Sequence, residues 1–165
     1  MHTNAQAIER FYEAFGRRAH AEMVTSYHQE VAFSDPVFPD LVGWRAAAMW
    51  RMLCERGTDL TIEASEISAN DERGQALWEA HYTFSQTGRK VHNKIQANFR
   101  FRDGLIVEHK DSFDLHRWAG QAIGLPGKLL GWAAFFRAKV QANAGQSLEK
   151  FIQKHNLSET DFWPQ

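Results

Sequence analysis

Between residues 74 and 118, apolar and polar positions alternate with a period of two, the spacing at which every second side chain of a strand points to the same side. Trp78, Ala80, Tyr82 and Phe84 share one face of a first strand, and Glu79, His81, Thr83 and Ser85 share the other. In the next strand Val91, Asn93, Ile95, Ala97, Phe99 and Phe101 oppose His92, Lys94, Gln96, Asn98, Arg100 and Arg102. A two-residue turn at Thr87-Gly88 sets Phe84 against Val91, Tyr82 against Asn93 and Ala80 against Ile95. A two-residue Asp103-Gly104 turn would put Phe99 opposite Glu108. The pattern therefore predicts a three-residue loop, Arg102-Asp103-Gly104, which aligns Phe99 with Val107, Ala97 with His109 and Ile95 with Asp111.

Elsewhere the period changes to that of a helix. Thr3 and Gln6 fit a capping box ahead of a stripe made by Ala7, Ile8, Phe11, Tyr12 and Phe15, which Gly16 ends. A short second helix is expected near residues 20 to 27, with Met23, Val24 and Tyr27 as its stripe. Val31 and Phe33 mark a strand that stops at Asp35-Pro36, because proline has no N–H for a ladder. Trp44 to Arg56 reads as a third helix with Met49, Trp50 and Leu53 inward, and Leu60 to Ala69 as another strand. Helices, strand, helix and then four strands make an α+β domain rather than alternating βαβ units. Past Leu115 the helical period returns in Trp118, Ala119, Ala122 and Ile123, and Gly124-Leu125-Pro126-Gly127 breaks it. Leu129, Leu130, Trp132, Phe135, Phe136 and Val140 then predict one helix with a wide apolar face, and Leu148, Phe151 and Ile152 a weaker stripe before fraying from about Leu157. Residues 1–117 are thus expected to form the domain, and 118–165 a helical extension packed on it.

The length suits one domain that buries roughly 70% of its unfolded surface. The 19 basic and 20 acidic residues cancel without a long run of either sign, which argues against nucleic acid as a partner. Cys54 is alone, so no intrachain disulfide forms, and the first residues lack a basic-then-apolar signal pattern. No stretch of about 18 apolar residues predicts a membrane span, and a soluble, cytoplasmic protein is expected. Near the late apolar face only Lys128, Arg137 and Lys139 are basic, too few for firm attachment to anionic lipid.

Four polar residues interrupt the apolar sheet face: Tyr82, Asn93, His109 and Asp111. A face this apolar normally excludes a carboxylate, so the pattern suggests a lined cavity. His109 and Asp111 fall two rises, ~6.6 Å, apart on one strand. Asp111, among Ile95, Phe99 and Phe113, is either an acid/base or a buried carboxylate that pairs with His109 and holds the fold. His109 either orients Asp111 and moves a proton or is a satisfied core histidine. Tyr82 and Asn93 are candidate donors to a substrate oxygen, and Trp50 and Trp78 candidate platforms for a flat ligand, each with ordinary packing as the other reading. His81 and His92 sit on the opposite face, where a dimer interface is expected. No His-x-His, His-x-x-x-His or paired-Cys spacing predicts a metal site.

This order of elements, with Asp35-Pro36-Val37 closing the first strand and Phe99-Arg100-Phe101-Arg102-Asp103-Gly104-Leu105-Ile106 forming the last hairpin, resembles the nuclear transport factor two-like superfamily. The likeness, over about residues 4 to 116, is greatest to its SnoaL-like and ketosteroid-isomerase-like members. It implies a cone, a strongly curved mixed sheet wrapped around N-terminal helices with a pocket at the open end, whose mouth or a second subunit would cover the late apolar helix. In ketosteroid isomerases an Asp-Pro-Val at this point supplies the general base, and Asp35 matches it; a turn-forming aspartate is the alternative. The isomerases' oxyanion donors do not carry over, since the phenol position falls on Phe11, beside Tyr12, and the carboxylic-acid position on Ala97. SnoaL-like polyketide cyclases are similar in placing a His and an Asp acid/base in this pocket. A limonene epoxide hydrolase set needs an Asp-Arg-Asp group, and Arg100 and Arg102 fall on the polar face.

The expectation is a homodimeric, cofactor-independent isomerase, cyclase or dehydratase acting on a small hydrophobic oxygenated ligand. Asp111, His109 and Asp35 would be catalytic, Tyr82, Asn93, Trp50 and Trp78 would bind substrate, and no metal would take part. The rival expectation is a non-catalytic binding module or accessory dimer of the same fold.

Overall fold

Six strands pair in the order β2-β1-β6-β5-β4-β3 in the computed structural model, which describes residues 1 to 163. In chain order the elements are α1 (Thr3–Gly16), α2 (His20–Val24), β1 (Tyr27–Ser34), β2 (Leu41–Val42), α3 (Trp44–Arg56), β3 (Thr61–Ala69), β4 (Arg73–Phe84), β5 (Arg89–Arg102), β6 (Leu105–Ser112), α4 (Leu115–Ala122), α5 (Leu125–Leu130) and α6 (Ala134–His155), with a 3-10 turn at Glu159–Asp161. The sheet is mixed, because β1 runs parallel to β6 while every other pair is antiparallel. Three irregularities bend it: one in β1 between Tyr27 and Ala32, one in β3 between Ser65 and Ser68 with Glu66 at φ 50°, and one opposite Arg100 and Phe101. Extra residues of this kind increase local twist and let a sheet curl.

Helix α1 fills the curl. Its Ile8, Phe11, Tyr12 and Phe15 are buried, and the three aromatic rings meet Trp50 of α3 or Trp78 of β4 edge-on or tilted. The approach is tight at Gly74, where a Cβ would stand 2.6 Å from Cδ1 of Ile8 and the isoleucine end would have to move.

Both hairpins turn differently from the expectation, yet the sheet faces survive. Between β4 and β5 the loop has four residues: the Thr87 and Gly88 N–H groups both donate to the Phe84 carbonyl, and Gly88 takes φ 74°. Tyr82 therefore pairs with Val91 and Ala80 with Asn93, two residues from the predicted partners. Between β5 and β6 the turn is the two-residue Asp103-Gly104, both at positive φ as tight hairpins require. Arg102 pairs with Leu105 and Phe101 with Ile106; Val107 is then the extra residue, so Phe99 pairs with His109 and Ala97 with Asp111. A bulge inside the strand does what the three-residue loop was expected to do.

Four further expectations are corrected. Helix α1 is capped by the His2 ring, which accepts from the Asn4 N–H at 3.1 Å, rather than by a Thr3 box. Helix α2 ends at Val24, and Tyr27 begins β1 instead of continuing the helix. The apolar stretch after Leu129 is two helices, since Gly131 closes α5 and extended Ala133 starts α6. Phe136 and Val140 pack with Val91, Leu115, Trp118 and Ala122, whereas Leu129, Trp132 and Phe135 lie exposed. The tail does not fray at Leu157, which is buried below the left-handed Asn156 cap, and Phe162 stacks on Trp44. The rest of the predicted frayed end, residues 164 and 165, lies outside the described residues. Among the described residues, no helix is long and apolar enough to cross a membrane.

Candidate functional site

The open end of the curl holds a cavity of about 410 Å³. The sheet gives it Trp78, Ala80, Tyr82, Asn93, Ile95 and Asp111, helix α3 gives Trp50 and Leu53, and the bend after β1 gives Asp35, Val37 and Phe38. Helix α4 adds Trp118, and α6 closes one side with Val140 and Ala144. Gln141 of α6 donates to the Pro36 carbonyl at 3.1 Å, which ties that wall to the bend carrying Asp35.

A buried chain of hydrogen bonds runs behind the cavity. Trp50 donates its indole N–H to the Tyr27 hydroxyl at 2.8 Å, Tyr27 meets Nδ1 of His109 at 2.7 Å, and Nε2 of His109 meets Oδ1 of Asp111 at 2.9 Å. Trp78 donates to the same Oδ1 at 3.4 Å. Donor counting fixes the protons. Burial and the nearby charge of Asp111 push the Tyr27 phenol well above its ordinary range, so its O–H is retained, and His109 Nδ1 is the acceptor it faces. The proton of the imidazole then sits on Nε2 and is donated to Asp111. The ring cannot turn, because Trp50 stacks on it at 5.8 Å and Phe99 and Phe33 crowd it at 4.4 and 5.1 Å. His109 is fully buried and does not reach the cavity; Asp111 does.

Asp35 is built by the bend that Pro36 forces. Its Oδ1 accepts from the N–H groups of Val37 at 2.7 Å and Phe38 at 2.6 Å. Desolvation, with the charge of Asp111 adding to it, overcomes those two bonds and pushes the carboxyl up to about 7. The two bonds are those of a turn-forming aspartate, and the same carboxyl lines the cavity. In both aspartates Oδ1 is committed to the protein, while Oδ2 has no protein hydrogen bond among the described residues.

Tyr82 accepts from the Trp118 indole at 2.8 Å, which leaves its own O–H proton to give. Its phenol is pushed up to about 12, chiefly by burial and further by the charge of Asp35, so it acts as a donor throughout the physiological range. Asn93 lines the same cavity with its side-chain amide free of protein bonds among the described residues. The structure brings Asp111, Asp35, Tyr82, Asn93, Trp50 and Trp78 to one cavity, with His109 directly behind. Trp50 and Trp78 are also donors to the polar chain, beyond the platform role their aromaticity suggested. Among the described residues, no three His, Cys, Asp or Glu side chains converge as a metal site.

The sequence reading missed Tyr27, Trp118 and Tyr12. Tyr27 stands four positions before Val31, and the exposed Gln29 between them hides the alternation. Trp118 was seen only as a helical stripe. Tyr12, adjacent to the phenol position that fell on Phe11, has a hydroxyl buried without a partner among the described residues; burial and the charge of Asp111 hold it far above its ordinary pKa.

The curved mixed sheet, its helical filling and the polar pocket define a nuclear transport factor two-like domain. The SnoaL-like domain family matches residues 8–109, and the chain belongs to that family. Among solved structures it is similar to a nuclear transport factor two-like protein of unknown function from Burkholderia pseudomallei (22% identity, 69% of this chain and 92% of that one, TM-score 0.60). It is similar also to a protein from Xanthomonas campestris pv. campestris for which polyketide cyclase activity is proposed but not established (23% identity, 72% and 96%, TM-score 0.61). A third is an LEH-like epoxide hydrolase from M. tuberculosis (18% identity, 81% and 95%, TM-score 0.58). At these identities the likeness carries the fold and not the reaction. No curated protein matches the chain.

Proposed function

We propose that this protein is a cofactor-independent enzyme that moves protons on a small hydrophobic, oxygenated substrate, as an isomerase, cyclase or dehydratase does. One observation carries the reading: two carboxylates face one largely apolar cavity, each held through Oδ1 and each presenting Oδ2. Asp111, oriented by the Nε2–H of His109, is the base that takes a proton from carbon beside a carbonyl. The Tyr82 O–H and the Asn93 amide hold the carbonyl oxygen as it gains negative charge. Asp35, near 7, is partly protonated at neutral pH and returns a proton to carbon or to a departing hydroxyl. Return to a second carbon gives an isomerase, loss of hydroxyl as water gives a dehydratase, and attack of the carbanion on a second carbonyl of the same molecule gives a cyclase. Trp50 and Trp78 form apolar walls for the substrate and fasten the polar chain.

Membership of the SnoaL-like family supports this class of reaction. An epoxide hydrolase of the Asp-Arg-Asp kind is less well supported, because the arginine lining the cavity, Arg56, gives Nη1 to Ser147 and is not bonded to either aspartate. Solvent-deuterium incorporation into a panel of cyclic and polycyclic ketones, followed by proton NMR, tests the proposal. Exchange that Asp111→Asn abolishes is the expected result. Saturable binding of panel members with no exchange above buffer would make the pocket a binding module instead.

We also propose a homodimer formed through the outer sheet face, where His81 and His92 stack at 3.9 Å and Glu79 meets both His92 and Lys94.

A further inference from the structure

Residues 115 to 148 contain no aspartate or glutamate, yet Arg117, Lys128, Arg137 and Lys139 fall within them, in a chain whose 19 basic and 20 acidic residues nearly cancel overall. Counted along the sequence, the cations near the apolar face are too few to hold anionic lipid. Folding changes that count. Arg89 and Lys90 at the start of β5 and Arg117 of α4 gather with Lys128 around one open surface cleft beside α5. The carboxylate in that cleft, Asp114, is engaged as the α4 cap and accepts from the Arg117 N–H at 3.0 Å.

Beside the cleft stands an apolar ridge whose Leu125, Leu129, Trp132 and Phe135 are 66%, 61%, 73% and 66% exposed. The cause is the way α5 is fastened. Gly127 lies so close to α4 that a Cβ on it would stand 2.0 Å from the Ala119 carbonyl oxygen, and His116 donates through Nε2 to the Lys128 carbonyl at 2.7 Å. The helix is held by backbone contacts, which leaves Leu125 and Leu129, two residues to either side of Gly127, turned outward. Trp132 gives its indole N–H to the Leu129 carbonyl at 2.9 Å, so its ring can leave water without stranding a donor.

A second copy of the chain is a poor cover for this ridge, because a two-fold contact would set the cationic cleft against itself. Separate protruding Leu, Trp and Phe side chains rimmed by Arg and Lys are the makeup of an element that lies in the headgroup layer of a bilayer. We propose that the segment from Leu125 to Phe135 docks this protein on anionic lipid membranes. Its apolar side chains enter the acyl boundary, and Lys90, Arg117 and Lys128 face the headgroups. Helix α4, against which α5 packs, and α6, which carries Phe135 of the ridge, also wall the cavity through Trp118 and Val140, so docking would place the cavity next to a reservoir of apolar molecules. Membrane binding itself does not depend on the catalytic reading.

Flotation of the full chain with phosphatidylcholine vesicles, with and without phosphatidylglycerol, tests the proposal. Binding is expected to the anionic vesicles and to be released by high salt. Combined Lys90→Glu, Arg117→Glu and Lys128→Glu should weaken it by roughly 100-fold, and Trp132→Ser with Phe135→Ser by about tenfold or more. All these side chains are exposed, so the melting temperature should stay unchanged, and Trp132→Ser alone serves as the milder variant. Absence of flotation by the folded wild type overturns the proposal, as does equal binding to both lipids that the variants leave intact. So does a dimer that Trp132→Ser converts to monomer, or an acidic protein that binds this face when vesicles do not.

Discussion

Tyr27 and His109, 82 positions apart in sequence, meet at 2.7 Å across the parallel pairing of β1 with β6. Through this contact the first strand decides which nitrogen of His109 carries the proton that Asp111 receives. Tyr27→Phe should cost about 1–3 kcal/mol in urea unfolding, the usual penalty for a buried acceptor left unpaired. Nitrogen NMR should find the Nε2–H tautomer alone in the wild type and a mixture in the variant. Once a substrate is in hand, kcat should fall about tenfold with KM little changed, as for a residue that positions another. A variant with wild-type stability and an unmixed tautomer would show that the packing around the ring orients His109 without Tyr27.

Asp111→Asn should keep the fold, because an amide oxygen can still accept from His109 and Trp78 in place of Oδ1. It should also lower the rate of proton exchange by ~10²-fold or more. Normal exchange by this variant would assign Asp111 to structure.

Asp35 gives stability a slope in pH. The native carboxyl is pushed up to about 7 against an ordinary value of 3.8, so between these values the folded chain keeps a proton that the unfolded chain has released. Stability should therefore fall as pH rises through that window and level off above it, by at most about 4 kcal/mol. Asp35→Asn preserves an acceptor for Val37 and Phe38 and should flatten the slope; thermal melts of both proteins at a series of pH values decide it. The acid-requiring limb of the activity profile should lie near the same value, with rate lost above it.

Removing everything after Leu125 takes away Val140 and Ala144 from the cavity and Leu148, Phe151 and Ile152 from the core. The truncated chain should melt lower and bind more of a hydrophobic dye than the full chain, because the opened cavity and core outweigh the exposed ridge that is lost. Unchanged melting, association and dye binding would mark the late helices as an appendage.

Sedimentation at micromolar concentration should show the proposed dimer. An outward charge at the stacked pair, His81→Glu, should dissociate it without lowering the melting temperature by more than a few degrees. A monomeric wild type would remove the interface.

Both turns of the sheet differ from what the pattern suggested, yet Tyr82, Asn93, His109 and Asp111 were placed on the correct face. Parity explains this. The first hairpin slipped by two residues, which restores each side chain to its own side, and the second contains one extra residue, as expected, but within the strand rather than in the loop. Alternation reports the face of a strand, whereas pairing depends on turn chemistry that Thr87-Gly88 and Asp103-Gly104 leave ambiguous. The carboxylates were legible because charge is conspicuous on an apolar face. Tyr27 and Trp118 were not, because an aromatic residue there looks the same whether it fills space or supports a neighbour, and an irregular β1 concealed the register of Tyr27. The second helix break at Gly131 was hidden by the continuous apolar run around it.

The extra residue at Val107 separates the last hairpin into two segments with different tolerances. Turn and tip, from Phe101 to Ile106, lie on one side of it, and the chemistry at His109 and Asp111 lies on the other. A loop of altered length at Asp103-Gly104 need only re-close the tip. Deleting Val107 itself would only remove the bulge, leaving Glu108 opposite Arg100 and His109 opposite Phe99, whereas deleting Lys110 would turn Asp111 half a turn, carrying the carboxylate out into water. Length variation among relatives should therefore concentrate at the tip and stop at this point, and an engineer lengthening the hairpin to graft a binding loop should insert before Ile106.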